Sequence, residues 1–239
     1  MERLITGAEK LGLFLNRAQI RQFEDYCREM LDWNQRINLT AITGYEEVQI
    51  RHFLDSLTIY SVLDKSQPYE NLKLIDVGTG AGLPGIPLKI ALPDMKLTLV
   101  EATGKKTEFL NYIVKILGFK NTEVVTGRAE TLAHKPEYRA GFNVVISRAV
   151  ASLATLVELT LPFCPTGGMV IAPKKGDIRK EVEESLKAID TLGGSLREVK
   201  LVDLGGLIDD RYLVIIDKVS PTPDKYPRRP GIPDKRPIK

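Results

Sequence analysis

The stretch LIDVGTGAGLPGIPL, residues 74–88, constrains the fold of this 239-residue chain more than any other. An apolar, β-branched run is followed by closely spaced glycines and then by residues that suit the start of a helix. Glycines permit sharp turns and close approach to a ligand, and Pro84 and Pro87 are compatible with a helix only near its first turn. This order predicts a strand, a ligand-binding turn and a helix.

The glycine-rich turn matches two cofactor patterns, G-x-G-x-x-G and D-x-G-x-G-x-G. The residues are Gly80, Gly82 and Gly85 in the first pattern, and Asp76, Gly78, Gly80 and Gly82 in the second. A carboxylate before the first glycine repels the pyrophosphate of NAD and attracts a cationic sulfonium, so the second pattern favours S-adenosylmethionine. Glu101, about 20 residues later at the end of the next predicted strand, is placed to accept both hydroxyls of a ribose.

Strand-like runs alternate with helical stretches from residue 72 to about residue 219. Five runs rich in β-branched residues predict strands: KLIDV, KLTLVE, TEVVTG, FNVVIS and GMVIAP. Their alternation with helices predicts right-handed crossovers and a doubly wound, mostly parallel α/β sheet. Two more runs, residues 196–201 and 212–216, predict a terminal hairpin whose last strand is antiparallel.

The first 66 residues predict a helical extension of the sheet domain, which we expect to span residues 67–219. Apolar residues recur at three- and four-residue spacing between residues 17 and 63. Thr43 and Glu46 are spaced as a capping box. We expect Trp33 to anchor this segment to the core, and His52 and Asp55 to form a local hydrogen bond.

The last segment, residues 220–239, is predicted to be an extended arm. It holds six of the 14 prolines, which argues against a helix or a central strand. From residue 218 onward seven basic residues stand against two acidic ones, a net charge of +5, whereas the rest of the chain carries −2. The basic character of the chain is therefore concentrated at its end.

Composition argues against several other classes of protein. No apolar run approaches the roughly 20 residues of a membrane span. The N-terminus lacks the uncharged core of a signal peptide, so we expect a cytoplasmic protein. Two cysteines and two histidines are too few for a disulfide framework or a histidine-based metal site.

Several separated segments together resemble one family, the small-subunit ribosomal RNA guanine-N7 methyltransferases of type G, also called glucose-inhibited division protein B. The segments are WNQRINLTAI, RHFLDSL, DVGTGAGLPGIPL, GRAE (Gly127–Glu130), SRAV (Ser147–Val150) and YPRRPGIPDKRPI. Many methyltransferases share the glycine-rich loop, whereas SRAV combined with the YPRRPG tail is far more specific. The resemblance spans residues 33–238.

The resemblance implies a class I S-adenosylmethionine-dependent methyltransferase, with a Rossmann-like, seven-stranded sheet. It implies methylation of N7 of guanine 527 in 16S rRNA, either free or within the small ribosomal subunit or its precursor. We expect a monomer that acts without a metal. The family's cofactor contacts correspond to Gly78, Gly80, Leu83, Glu101, Ala129, Glu130 and Arg148. In that pattern Glu101 holds the ribose, Ala129 and Glu130 frame the adenine, and Arg148 lies near the target base.

Candidate residues for RNA contact lie at two places. Arg228 and Arg229 belong to the basic arm, which either binds RNA phosphate or folds back on its own domain. Lys105 and Lys106 open the helix after Glu101 and either touch RNA or form a solvated face. For Arg148, three roles stay open: orienting the guanine through O6, anchoring the donor carboxylate, or pairing with a carboxylate on a neighbouring loop.

The residues agree with chemistry at guanine N7. That atom bears no proton, so alignment suffices and no general base is needed. Cys164 lacks the Pro-Cys order of C5-cytosine enzymes and is interpreted as buried, and Ser147-Arg148-Ala149 replaces the motif typical of exocyclic amine methylation. Two alternatives stay open, an NAD-dependent oxidoreductase and a ribosome-assembly factor that binds RNA without catalysis.

Overall fold

The computed structural model describes residues 1–148, 151–208 and 210–239 of the chain. Seven strands form one sheet: β1 (Lys73–Val77), β2 (Lys96–Glu101), β3 (Thr122–Thr126), β4 (Val144–Ile146), β5 (Met169–Lys175), β6 (Gly194–Val202) and β7 (Arg211–Lys218). Their order is β3-β2-β1-β4-β5-β7-β6. The first five strands pair in parallel, whereas β7 runs antiparallel to both β5 and β6. The predicted sheet, with its antiparallel last strand, is confirmed.

Ten α-helical elements accompany the sheet in the described residues: α1 (Glu2–Lys10), α2 (Arg17–Asn34), α3 (Tyr45–Val48), α4 (Asp55–Leu57), α5 (Gly85–Ala91), α6 (Gly104–Ile116), α7 (Ala129–Leu132), α8 (Leu153–Thr160), α9 (Arg179–Thr191) and α10 (Ile232–Lys235). A π-helical stretch, Gln49–Leu54, joins α3 to α4, and a 3-10 turn, Thr58–Val62, follows. Shorter 3-10 turns lie at Tyr69–Asn71 and Leu161–Phe163.

The predicted capping box at Thr43 is wrong. The helix begins one residue later, at Tyr45, and its N-cap is Gly44, which has no side-chain oxygen to offer. A capping box does exist at α2, where Asn16 accepts from the backbone of Gln19 and the Gln19 side chain accepts from the N–H of Asn16. The Gln19 amide also donates to the carbonyl of Ile90, so the start of α2 is tied to the end of α5.

Successive side chains of each strand point to opposite faces of the sheet, so they contribute to two hydrophobic cores, one on each face. One core packs the sheet against α8 and α9, and the other packs it against α5, α6 and the N-terminal helices. In the second core the ring centroids of Phe23 and Tyr26 lie 5.1 Å and 5.2 Å from that of Phe53. The Trp33 ring lies 5.6 Å from Phe109 of α6, so its predicted anchoring role is confirmed. The N-terminal segment (residues 1–66) therefore shares a core with the sheet, and its boundary at residue 66 stays a prediction.

The C-terminal arm (residues 220–239) folds back on the sheet domain. The Arg139 guanidinium donates to the carbonyls of Thr222 and Tyr226, and His134 Nε2 lies 2.8 Å from the Pro227 carbonyl oxygen. The expectation that the arm contains no helix is wrong, because α10 forms a single turn within it. Its proline lies at the start of that turn, where the missing N–H is not needed.

No helix in these three described ranges is long and apolar enough to cross a membrane.

Candidate functional site

The glycine-rich loop (residues 78–85) leaves β1 at the carboxyl ends of the parallel strands, where open α/β sheets bind ligands. Gly80 has a φ of +60°, and a Cβ placed on it would meet no atom within 4 Å. A Cβ on Gly82, whose φ is +96°, would come within 2.3 Å of the Ile86 side chain. Gly80 thus presents bare backbone to open space, while Gly82 allows the loop to pack closely on α5.

Asp76 lies beneath this loop and not at its mouth. Its fully buried carboxylate accepts hydrogen bonds at Oδ2 from Thr79 Oγ1 at 2.6 Å and from the Gly85 N–H at 2.8 Å. Burial raises the pKa of Asp76 to about 6, although both hydrogen bonds lower it. Its Oδ1 atom is buried and finds no hydrogen-bond partner among the described residues. The prediction that this carboxylate faces the ligand is therefore corrected: it shapes the loop from below.

A cavity of about 670 Å³ opens above the loop, within the usual range of small-molecule sites. Its walls come from the loop, the ends of β2 and β3, the N-terminal segment and the arm. The predicted site residues that line it are Gly78, Gly80, Leu83, Glu101, Ala129, Glu130 and Arg148. Asp76, Gly82 and Lys105 are outside this lining, whereas Lys106 belongs to it.

Glu101 faces the loop in a fixed orientation. Its Oε2 atom accepts from the Gly80 N–H at 3.1 Å, and Oε1 accepts from the Thr103 N–H at 2.8 Å. Each carboxylate oxygen has a second lone pair, so two acceptors remain for a pair of hydroxyl groups. This geometry suits the predicted ribose contact.

Arg148 shares a buried carboxylate with a second arginine. Its NH1 donates to Oδ2 of Asp55 at 2.8 Å, and Nε of Arg211 forms an ion pair with Oδ1 at 2.7 Å. Asp55 is only 2% exposed and lies on α4, so the predicted ion pair exists but its partner is on a helix. Asp55 carries a single negative charge, so it compensates only one of the two positive charges of Arg148 and Arg211. Ala149 and Val150, the rest of the SRAV motif, lie outside the described residues.

His52 lines the same wall with both ring nitrogens engaged. Nδ1 lies 3.2 Å from the Arg51 carbonyl oxygen and therefore carries the proton, which leaves Nε2 to accept from Thr40 Oγ1 at 2.6 Å. Burial and, to a smaller extent, the charge of Arg148 together lower the pKa of His52 to about 4. The imidazole is therefore neutral at pH 7. The predicted hydrogen bond to Asp55 is wrong, because that carboxylate is held by the two arginines.

The cavity and fold can now be compared with known proteins. A family model described as GidB, rRNA small subunit methyltransferase G, matches residues 19–207. The chain belongs to this family. It is 51% identical to the ribosomal RNA small subunit methyltransferase G of Dehalococcoides mccartyi and 47% identical to that of Roseiflexus castenholzii, over 100% of both chains in each case.

Solved structures resemble this methyltransferase in fold alone. A SAM-dependent methyltransferase from Aquifex aeolicus superposes with a TM-score of 0.52 at 16% identity, covering 74% of this chain and 94% of the other. Membership of the family confirms the predicted enzyme class and S-adenosylmethionine as the cofactor, whereas the role of the glycine-rich loop in binding it stays a prediction. The dinucleotide oxidoreductase and the non-enzymatic alternatives are thereby set aside.

Arg228 of this methyltransferase turns into the protein. Its backbone N–H and its Nε donate to Oε1 of Glu158 at 2.8 Å and 2.9 Å, and its NH2 donates to Oε2 at 2.6 Å. Glu158, on α8, is fully buried. The prediction that Arg228 faces RNA is corrected, because its guanidinium compensates a carboxylate inside the protein. Arg229, its neighbour, is exposed and remains a candidate for RNA contact.

Several cavity residues were missed by reasoning from the sequence. They are Thr40 of the N-terminal segment, Arg128 before α7, and Gly231, Pro233 and Asp234 of the arm. Each of them lies within a segment that carries the family resemblance, so those segments held the signal. Cys164 is buried as interpreted, and burial raises the pKa of its thiol to about 12. The described part of the chain brings together no group of three metal-binding side chains.

Proposed function

We propose that this methyltransferase transfers the methyl group of S-adenosylmethionine to N7 of guanine 527 in 16S rRNA. The observation that carries the proposal is the cavity in which Glu101, fixed by two backbone N–H groups, faces the bare backbone of Gly80. The high identity to relatives named for small-subunit rRNA methylation supports the choice of substrate.

The residues of the cavity fit the methyl donor. Glu101 has two free lone pairs for the ribose hydroxyls, and Gly80 allows the backbone to approach the ligand. The unpartnered Oδ1 of Asp76 places a titratable acid beneath the loop, and above pH 6 its negative charge favours a cationic ligand there. Gly78, Leu83 and Ala129 complete the surface that would hold the donor.

S-adenosylmethionine, when bound, supplies an electrophilic methyl group on a positively charged sulfur. Guanine N7 attacks with a lone pair and has no proton to lose, so the protein has to align the base and keep water away. The neutral His52, with both nitrogens engaged, agrees with a reaction that uses no general base. Arg148, held by Asp55, offers its N–H groups to the cavity. They are suited to bind either O6 of the guanine or the carboxylate of S-adenosylmethionine.

The rRNA is expected to meet the mouth of the cavity, either free or within the small subunit or its precursor. Exposed Arg229, Lys105 and Arg128 are the candidates for contact with its phosphates, together with the half-buried Lys106. We place the protein in the cytoplasm, where its substrate is assembled, and expect it to act as a monomer.

The test is methyl transfer from tritiated donor to 16S rRNA, offered as free RNA and as small ribosomal particles. Labelled 7-methylguanosine is expected after digestion to nucleosides. A transcript with adenine in place of the target guanine is the matched control and should take up no label. Label in another nucleoside, or in the control transcript, would contradict the proposal.

A further inference from the structure

The arm supplies one wall of the donor cavity. Gly231, Pro233 and Asp234, all from the turn around α10, line it together with Glu101 and Ala129. The Gly231 N–H donates to Oε1 of Glu130 at 3.0 Å, so this turn is hydrogen-bonded to α7 at the cavity.

The position of this turn along the cavity identifies the part of the donor that it faces. Glu101, the expected ribose contact, pairs with Thr126 at the end of β3. The chain then continues through Gly127 and Arg128 to Ala129, so the base attached to that ribose is expected on this side. Glu130 holds the turn on the same side, and Thr155 of α8 donates to the Pro233 carbonyl at 3.2 Å.

The ion pair between Arg228 and Glu158 fixes the arm just before this turn. The carboxylate is fully buried and the arginine side chain is 28% exposed. Two residues separate Arg228 from Gly231 in the chain, so release of the pair loosens the segment that leads into the turn and leaves the turn held by Glu130 and Thr155. Charge-assisted, bidentate bonds of this kind are strong and directional.

We propose that residues 231–234 of the arm form part of the binding site for the adenosine moiety of the methyl donor, with Arg228 as the residue that positions them. This inference rests on the proposed function, because it takes the donor to be S-adenosylmethionine. Since the wall is complete only when the arm is docked, docking and donor binding are coupled and each stabilises the other. The bonds that hold Glu101 come from Gly80 and Thr103 and not from the arm, so we expect Glu101 to keep its orientation when the arm is released.

The first experiment is calorimetric titration of the full-length protein with S-adenosylmethionine and with S-adenosylhomocysteine. Arg228→Ala should raise both dissociation constants about ten-fold or more, a typical size for coupling between sites. The factor should be equal for the two ligands, since they share the adenosine and differ in the charge on sulfur. Arg229→Ala, the adjacent exposed arginine, is the matched control and should change neither constant by more than about two-fold.

The second experiment uses the unaltered chain and so does not depend on the folding of a variant. Trypsin should cut after the exposed Lys225 and release residues 226–239, and saturating S-adenosylhomocysteine should slow this cleavage. The reciprocity of coupled equilibria requires the protection if the arm and the ligand stabilise each other.

The outcomes separate this inference from the proposed function. If the unaltered protein binds neither ligand, the proposed function fails. If it binds both but Arg228→Ala binds them equally well, or if ligand leaves the cleavage at Lys225 unchanged, the inference about the arm fails while the proposed function stands. A loss of affinity for S-adenosylmethionine alone would also overturn the inference about the arm, because the arm would then contact the sulfonium charge and not the adenosine.

Discussion

The two ends of the chain reach the same cavity, but different forces attach them to the sheet domain. The N-terminal segment contributes Phe23, Tyr26 and Phe53, all fully buried against the core that it shares with the sheet. In the arm only Thr222, Pro227 and Pro233 are buried. The arm is held instead by hydrogen bonds to carbonyls and by the pair between Arg228 and Glu158.

This difference decides which wall can move. Releasing the N-terminal segment would expose large aromatic side chains, at a cost of about 1.5 to 3 kcal/mol for each. Releasing the arm exposes no fully buried aromatic ring, although Tyr226 and Ile238 leave the core on which they pack, and water can then solvate Glu158 in place of the arginine. We therefore expect the N-terminal wall to be permanent and the arm to be the wall that can open.

The largest expected effect tests the permanent wall. Phe53→Ala should lower the free energy of unfolding by about 3 to 5 kcal/mol, because it leaves a cavity among packed aromatic rings. Urea denaturation measures this change. Phe14→Ala, in the same segment but 81% exposed, is the matched control and should cost less than about 0.5 kcal/mol. Arg228→Ala should lower the free energy of unfolding by less than about 1 kcal/mol, since the arm can detach. A loss of stability as large as that of Phe53→Ala would contradict the difference between the two ends of the chain.

A second measurement concerns Asp76. Its hydrogen bonds to Thr79 and Gly85 of the glycine-rich loop involve neither the N-terminal segment nor the arm. Its folded pKa of about 6 lies above the unfolded value of 3.8, so the stability of the protein falls as pH rises between these values. Asp76→Asn removes that fall. The unfolding free energy of Asp76→Asn minus that of the unaltered protein should increase by about 2 kcal/mol between about pH 4 and about pH 7. The exposed Asp94→Asn is the control, and a flat difference for Asp76→Asn would contradict a buried, ionised carboxylate.

A smaller effect measures a polar contact between the N-terminal aromatic residues and the glycine-rich loop. The Tyr26 hydroxyl donates to the Ala81 carbonyl at 2.6 Å in a buried position. Tyr26→Phe should cost about 1 to 2 kcal/mol in urea denaturation, because a buried carbonyl loses its partner. The exposed Tyr45→Phe is the control and should be nearly neutral. Equal stabilities of the two variants would show that packing alone joins these aromatic residues to the loop.

The smallest effect concerns RNA and sharpens the contrast within the arm itself. Arg229→Ala should weaken binding of 16S rRNA modestly and reduce the slope of log affinity against log salt by about 1, as expected for one lost phosphate contact. Filter binding at several salt concentrations measures that slope. The dissociation constant of Arg229→Ala for S-adenosylmethionine should not change. An unaltered slope would remove the exposed side of the arm from the RNA interface.

The sheet was predictable from the sequence because its signals are local. Buried parallel strands read as short β-branched runs, and their alternation with helices restricts the topology to a few possibilities. The glycine-rich loop and Glu101 were predictable for the same reason, since both follow directly from strand ends. The helical pattern of the N-terminal segment likewise predicts its buried face.

The ion pairs were not predictable, because their partners are far apart in sequence. Arg228 and Glu158 are 70 residues apart, and Arg148 and Asp55 are 93 residues apart. The net charge of the arm includes both Arg228 and Arg229. Arg228, however, is paired with Glu158 inside the protein, whereas Arg229 is exposed. Asp76 was misplaced for a related reason: a pattern gives its position along the chain but not the burial of its carboxylate.

The strand order has a consequence for how the chain is completed during synthesis. β7 follows the other six strands of the sheet in the chain, yet it lies inside the sheet between β5 and β6. The edge of β5 therefore stays open until β7 has been made, and the arm follows later still. Because translation starts at the N-terminus, the residues of the N-terminal wall and of the glycine-rich loop are made before β7 and the arm. With the arm as one wall of the donor pocket, as proposed above, that pocket lacks a wall until residues 231–234 have been made.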